Sequence, residues 1–188
     1  MNFKMPTKST LRQRKSTIAN AFAISITPYI KPTNKEIENL LELLKIDDGK
    51  CVYCLGRATT TDHFRPLVEH SNPTGYISDV NNLVPCCSTC NSSKGKKKWD
   101  EWYLSEKNLN RLLSLGLTNI EINERYQILK KYSDIGEHKL NYKEIVGEDM
   151  WNEFLQRKNK LNKMLDENQI FCDRLNLRIT NYLKDKKN

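Results

Sequence analysis

The residues best placed to do chemistry are cysteines. Cys51-x-x-Cys54 and Cys87-x-x-Cys90 form two knuckles separated by 32 residues in a chain of 188. Zn²⁺ takes four soft ligands in a tetrahedron, and each Cys-x-x-Cys turn supplies two from one side. Two such turns complete a closed site with no open coordination position, so the zinc expected here is structural. Cys86 would leave a three-residue gap to Cys90, which favours Cys87 as the ligand. A redox pair beside unrelated cysteines is the alternative. Disulfides would suit an exported chain, but no apolar signal core follows the basic N-terminus.

Composition narrows the class further. Hydrophobic residues are 38% and charged residues 29%, which excludes a wholly disordered chain. No run approaches the ~20 apolar residues of a membrane span, and the expectation is a soluble, cytoplasmic protein with no membrane partner. Lys and Arg outnumber Asp and Glu by 31 to 23, a net charge of +8. Lys4, Lys8, Arg12, Arg14 and Lys15 lie together at the N-terminus, and Lys94, Lys96, Lys97 and Lys98 form a second block. Two basic blocks suit a phosphate backbone. Solvated basic tails are the plainer reading.

Several elements must carry these residues. A basic helix is expected over 7–23, ended by Pro28 and Pro32. Thr33-x-x-Glu36 is a capping box, and Ile37, Leu40, Leu41 and Leu44 follow at helical spacing to about Asp47-Asp48-Gly49. Thr59-Thr60-Thr61 begins a strand running through Asp62-His63-Phe64 to Pro66. Asn72-Pro73-Thr74-Gly75 reads as a turn, with Tyr76-Ile77 starting the returning strand. Asn82-Leu83-Val84-Pro85 leads to the second knuckle, and a helix is expected from Asn91 to about Leu104. Two short helices flank Gly116. From Met150, Trp151, Phe154, Leu161, Leu165, Cys172, Leu175, Ile179 and Tyr182 follow spacings of three and four, interrupted by Lys158 and Asn168. These 32 residues would make a helix ~48 Å long. Its seam needs a second apolar surface, either its own domain or a homodimer partner.

Between and around the knuckles the chain reads Thr61-Asp62-His63-Phe64-Arg65-Pro66-Leu67, then Asn82-Leu83-Val84-Pro85, then Cys87-Ser88-Thr89-Cys90-Asn91-Ser92-Ser93-Lys94-Gly95. Over residues 51–95 this resembles the HNH nucleases of the four-cysteine branch, with His63, Asn82 and Asn91 in the family's three positions. The resemblance implies an α+β chain: a small ββα-metal core with two zinc knuckles, flanked by N-terminal and C-terminal α-helices. The expected divisions are a basic arm with helices at 1–48, the core at 49–104 and a helical region at 105–188.

The same resemblance implies a metal-dependent DNA endonuclease leaving 5′-phosphate and 3′-hydroxyl ends. His63 would be the general base, since imidazole titrates near neutral pH. Asp62 and Asn91 would hold Mg²⁺, with Mn²⁺ or another divalent ion an alternative, bridging the scissile phosphate and stabilising the leaving 3′ oxygen. Asn82 would hold the loop that aims His63. Lys94 would touch phosphate, with Lys96, Lys97, Arg12, Arg14 and Lys15 adding backbone contacts. Asp62 could instead cap a turn, and Asn91 could cap the helix that begins there. Restriction, defence, mobile-element and phage roles all fit such a chain. The other classes are a non-catalytic zinc-ribbon binder of nucleic acid and the nuclease subunit of a partner-activated complex.

Overall fold

The computed structural model describes residues 4–135 and 138–186. In chain order it contains α1 (Lys15–Ile24), α2 (Asn34–Leu44), β1 (Thr60–His63), β2 (Val68–Glu69), β3 (Asn72–Pro73) and β4 (Leu83–Cys86). Then come α3 (Ser88–Lys94), α4 (Trp99–Tyr103), α5 (Glu106–Ser114), α6 (Asn119–Ile135), α7 (Tyr142–Val146) and α8 (Glu148–Asp185). The chain is thus mixed, mostly helical with two small sheets. No helix among the described residues is long and apolar enough to cross a membrane.

The chain divides into two compact units, one from Ile26 to Asn141 and one joining the residues up to Ser25 with those from Tyr142 onward. This grouping differs from the expected division at 48 and 104. The reason is packing: α2 docks on α6, while α5 and α6 bury Leu112, Ile122 and Leu129 in one core with the knuckle residues Cys51, Val52, Tyr53 and Cys90.

In the unit from Ile26 to Asn141, β1 and β4 form an antiparallel ribbon with Thr60 opposite Cys86, Asp62 opposite Val84 and His63 opposite Leu83. The β-branched threonines favour this extended start. The first knuckle closes by Cys51 N–H donating to Gly56 O (2.7 Å) and Leu55 N–H to Cys51 O (2.9 Å). Val52 N–H then donates to Pro85 O (2.9 Å), tying the knuckle to β4. The second knuckle is the first turn of α3: Cys87 is its N-cap, and its sulfur accepts from Cys90 N–H (3.3 Å). Behind these elements, Phe64 stacks on Trp99 (centroids 5.1 Å) and meets Tyr132 edge-on (4.9 Å), while Tyr53 meets Trp102 edge-on (5.0 Å). Trp99, Trp102 and Tyr103 are therefore core. The capping box at Thr33 and Glu36 forms with both of its bonds. At the other end of α2, the Arg125 guanidinium donates to Leu44 O (2.5 Å) and Lys45 O (3.1 Å), capping its last carbonyls.

Three local expectations are corrected. The strand that returns to β1 is β4, not Tyr76-Ile77; Ser78 instead makes a parallel bridge to Tyr29. Asn72-Pro73 is strand, because the two-residue turn lies one step earlier. His70 (φ 50°) and Ser71 (φ 61°) both adopt the left-handed backbone that such a hairpin loop requires. The helix expected from Asn91 to Leu104 is two helices, because α3 ends at Gly95 with φ 52°.

In the other unit, Phe22 of α1 packs on Phe154 (4.9 Å), Trp151 stacks on Phe154 (5.2 Å), and Tyr142 stacks on Trp151 (6.2 Å). The N-terminal arm follows α8 past Gln169, whose buried side chain accepts from Leu11 N–H (2.6 Å), to Asp173, which pairs with Lys8 (3.9 Å). α8 has 38 residues, so it is roughly 57 Å long, and it starts at Glu148, slightly before the expected Met150. The covered part of its seam ends near Gln169. Beyond it Ile170, Phe171, Leu175, Leu177, Ile179, Tyr182 and Leu183 are all exposed.

Candidate active site

The four cysteines of the knuckles come together: their sulfurs all lie within 4.8 Å of one another. Cys54 Sγ and Cys87 Sγ are 3.8 Å apart. A tetrahedral zinc with bonds of ~2.3 Å requires sulfur–sulfur edges of ~3.8 Å, so the cluster has the size of a four-thiolate site. Sharing of protons among the sulfurs splits their acidities. Hydrogen bonds from Cys51 and Cys90 bring Cys54 down to about 3, while the same contacts, with burial, push the Cys90 thiol far up. A cation that replaces those protons removes the conflict. Cys86 stands outside the cluster on β4, where burial and the charge of Asp62 raise it to about 12, a protonated core thiol. Arg111, which the spacing argument missed, donates from Nη2 to Cys90 Sγ (3.2 Å) and to Asn108 Oδ1 (2.8 Å). No sequence pattern links a helix residue 21 positions downstream to the knuckle.

The candidate catalytic residues surround β1. Adjacent strand residues point to opposite faces, so Asp62 is buried at 5% exposure while His63 is half-buried. Asp62 Oδ2 accepts from Tyr53 O–H (2.7 Å) and pairs with the Lys94 ammonium (2.9 Å). The same ammonium donates to His63 O (2.7 Å). Burial, then the Asp62 charge, raise the Tyr53 hydroxyl well above its ordinary range, so it stays a donor. Asn91 Nδ2 donates to Thr61 O (3.3 Å), setting Asn91 beside β1. Asn91 and Lys94 are three apart on α3 and share the face toward the strand.

His63 Nε2 shares a 2.5 Å hydrogen bond with Ser78 Oγ. Ser78 is buried, and its backbone is held by Ile30 N–H donating to its carbonyl (2.8 Å) and by its own N–H donating to Pro28 O (3.0 Å). Burial moves the His63 pKa below the ordinary imidazole value; Asp62 opposes this and Lys94 reinforces it. Asn82 is also buried. Its Oδ1 accepts from Arg65 N–H (2.8 Å), and its Nδ2 donates to Arg65 O and Ile77 O (both 3.1 Å). It thereby links the segment after His63 to the segment before Ser78. Ser78 and Tyr53 carried no signal in the sequence, since neither belongs to a spacing motif. No direct hydrogen bond joins Asp62, His63 and Asn91 among the described residues.

The basic residues separate into three groups. Lys94 is corrected from phosphate contact to core: it is 1% exposed and its ammonium is taken up by Asp62 and His63 O. Breaking a buried pair from one side costs ~3–5 kcal/mol. Arg12 (3.4 Å) and Lys15 pair with Asp166 of α8, so their charges are partly compensated within their own unit. Such exposed pairs contribute about 0–1 kcal/mol and exchange readily. Arg14, Lys96 and Lys97 are exposed.

Residues 51–97 match the family model described as HNH endonuclease. This segment is an HNH domain. A 62-residue stretch is 36% identical to YoqL of Bacillus subtilis (strain 168), an SPbeta prophage-derived protein named as a candidate HNH endonuclease. That match covers 33% of this chain and spans only 25% of the relative's length. No solved structure matches the chain significantly. The HNH domain boundaries enclose both knuckles, β1, β4 and α3, which are the elements that bear the cysteine cluster and His63.

The cluster geometry makes the cysteines separable by experiment. Purified protein and the Cys86→Ala variant are expected to hold one equivalent of zinc, and Cys87→Ala to lose most of it, measured by metal content. Chelation is expected to abolish cooperative thermal unfolding, since structural zinc sites are worth ~10 kcal/mol or more. Equal metal content in Cys87→Ala and the parent would contradict this ligand set.

Proposed function

We propose that the chain is a metal-dependent HNH DNA endonuclease that hydrolyses phosphodiester bonds to 5′-phosphate and 3′-hydroxyl ends. The observation that carries this reading is the state of His63: half-buried, hydrogen-bonded at Nε2 to a buried serine, and with its pKa moved by burial below the ordinary imidazole value. An oriented imidazole of lowered pKa beside a buried carboxylate suits a general base better than a structural histidine. In the tautomer whose Nε2–H donates to Ser78 Oγ, the Nδ1 lone pair is left to take a proton from water. Asn82 fixes the backbone on both sides of this pair.

Zinc in the four-cysteine cluster has a structural role in this reading, because no coordination position remains open. Asp62 Oδ1 and Asn91 Oδ1 have no hydrogen-bond partner among the described residues, which leaves two hard oxygen donors for Mg²⁺. A divalent ion held there supplies charge neutralisation at the phosphate and leaving oxygen. Asn91 takes part through its amide oxygen while its Nδ2 stays on Thr61. Arg14, Lys96 and Lys97 are free to meet the DNA backbone, and Arg12 and Lys15 can join by exchanging Asp166 for phosphate. We place the chain in the cytoplasm as a restriction-type or defence nuclease. The prophage origin in the relative's name makes a phage or mobile-element role the other biological setting.

Supercoiled plasmid incubated with the protein and Mg²⁺ tests the reading. Cutting is expected, with His63→Ala lowering it by ~10²–10⁴-fold while thermal stability and DNA binding persist. Asn91→Ala should raise the Mg²⁺ concentration required. Undiminished cutting by His63→Ala would remove the proposed base. No cutting by the parent, with zinc bound, would leave a nucleic-acid-binding role.

The pH dependence has a definite sign. A general base works when deprotonated, and a lowered pKa keeps it so at lower pH. The midpoint of the rise of kcat/KM with pH should therefore lie below the ordinary imidazole value of roughly 6.5. Ser78→Ala should lower kcat by up to about 100-fold through misplacement of the ring, with KM little changed.

The exposed end of α8 fits a homodimer. Cys172, Leu175, Ile179 and Tyr182 continue the three–four spacing past the covered part, and such a seam pairs with a second helix. Two copies would bring two HNH domains to one duplex. A dimer is expected by sedimentation, converted to monomer by Leu175→Asp with Ile179→Asp; a monomeric parent at micromolar concentration would refute the pairing.

A further inference from the structure

The endonuclease reading uses only Lys97 of a groove between α3 and α5. It encloses about 730 Å³ and is lined by Ser88, Ser92, Ser93, Lys97, Lys107 and Arg111, among others. Three cations line it and no carboxylate does, in a chain with 23 acids. Lys107 has no carboxylate partner among the described residues, and Lys97 donates only to Ser93 O (3.1 Å). Arg111 is held by the buried Asn108 and by Cys90 Sγ, which leaves Nη1 without a hydrogen-bond partner among the described residues. Ser93 Oγ accepts from Trp102 Nε1 (3.0 Å), so its own O–H remains to donate.

We infer that this groove binds the phosphodiester backbone of the nucleic acid next to the cleavage site. The proposal rests on the endonuclease reading and adds Lys107, Arg111 and the α3 serines to it. A fixed guanidinium, two ammonium groups and several hydroxyl donors are the chemistry of phosphate recognition. The groove's size and its open course between two helices suit a strand rather than a single small anion. Its position provides the continuity. Asn91 faces β1, and Ser92, the next residue, lies about 100° around the same helix and lines the groove. A strand passing Asn91 across α3 enters the groove without leaving the protein surface. Arg111 also joins the groove to the cysteine cluster through Cys90, so the knuckle that faces β1 also anchors this backbone track.

The test is fluorescence anisotropy of a labelled 40-base-pair duplex in a His63→Ala background, at several salt concentrations and without chelator. Lys97→Glu with Lys107→Glu is expected to weaken binding at least tenfold and to reduce the slope of log K against log salt by about two, one per lost phosphate contact. Lys35→Glu with Lys130→Glu changes the net charge equally on exposed helix positions and should cost less than twofold. Equal losses in both pairs would reduce the effect to net charge and overturn the groove. Unaltered affinity in the groove variant, with the parent still binding, would overturn the groove and leave the endonuclease reading intact. A parent that binds no duplex would overturn both. Sodium pyrophosphate is the second probe: micromolar thermal stabilisation of the parent, lost in the groove variant and without an effect on duplex binding, would assign the groove to a free anion instead.

Discussion

The convergence of four sulfurs joins two parts of the chain that would otherwise have little reason to meet. The first knuckle is a tight loop hydrogen-bonded to β4, and the second is the opening turn of α3. Fastening one to the other sets α3 against β1, and from that single constraint follow the placement of Asn91 on Thr61 and of Lys94 on Asp62. The ribbon itself has only four residues in each strand, and such a pair is marginal alone. Hydrophobic burial behind the ribbon supports it from one side, through Phe64, Trp99 and Tyr132. The cysteine cluster supports it from the other.

Within that frame the polar interior is arranged as a chain of dependencies. Tyr53 lies inside the first knuckle and donates to Asp62; Lys94 ends α3 and reaches both Asp62 and the His63 carbonyl. A displacement of either knuckle therefore reaches the strand through a buried ion pair, where an unpaired charge is costly. This makes the inward turn of Lys94 understandable. Its ammonium offsets the carboxylate that the fold buries beneath α3, and the positive surface is left to the lysines beyond Gly95.

Much of this was legible in the sequence, for identifiable reasons. The cysteines declare themselves because a tetrahedral site demands a fixed local spacing, and the four chosen by spacing are the four whose sulfurs cluster. The capping box at Thr33 is legible because both of its bonds are local. The long helix is legible because its apolar spacing persists over many turns. The failures are non-local. Asn-Pro-Thr-Gly is good turn chemistry, yet the loop formed at His70-Ser71, since pairing of Val68 with Pro73 fixed the register. The inward direction of Lys94 depends on which face of α3 meets β1, and a run of lysines looks solvated regardless. Ser78 and Arg111 were invisible because their partners lie 15 and 21 residues away, in no repeating pattern.

The placement of Ser78 shows how a short motif acquires its function from outside itself. In the proposed reading Asp62-His63 supplies a base, and His63 is hydrogen-bonded to a serine whose backbone is fixed by Pro28 and Ile30, residues that precede the HNH domain boundary at Cys51. Asn82 closes the same loop from within the domain. The segment between α1 and α2 is thus a part of the site's support rather than a passive connector. Residues 51–97 alone lack the backbone brace that Pro28 and Ile30 give Ser78. The family boundary marks the shared chemistry, whereas the structural unit that positions His63 begins upstream of it.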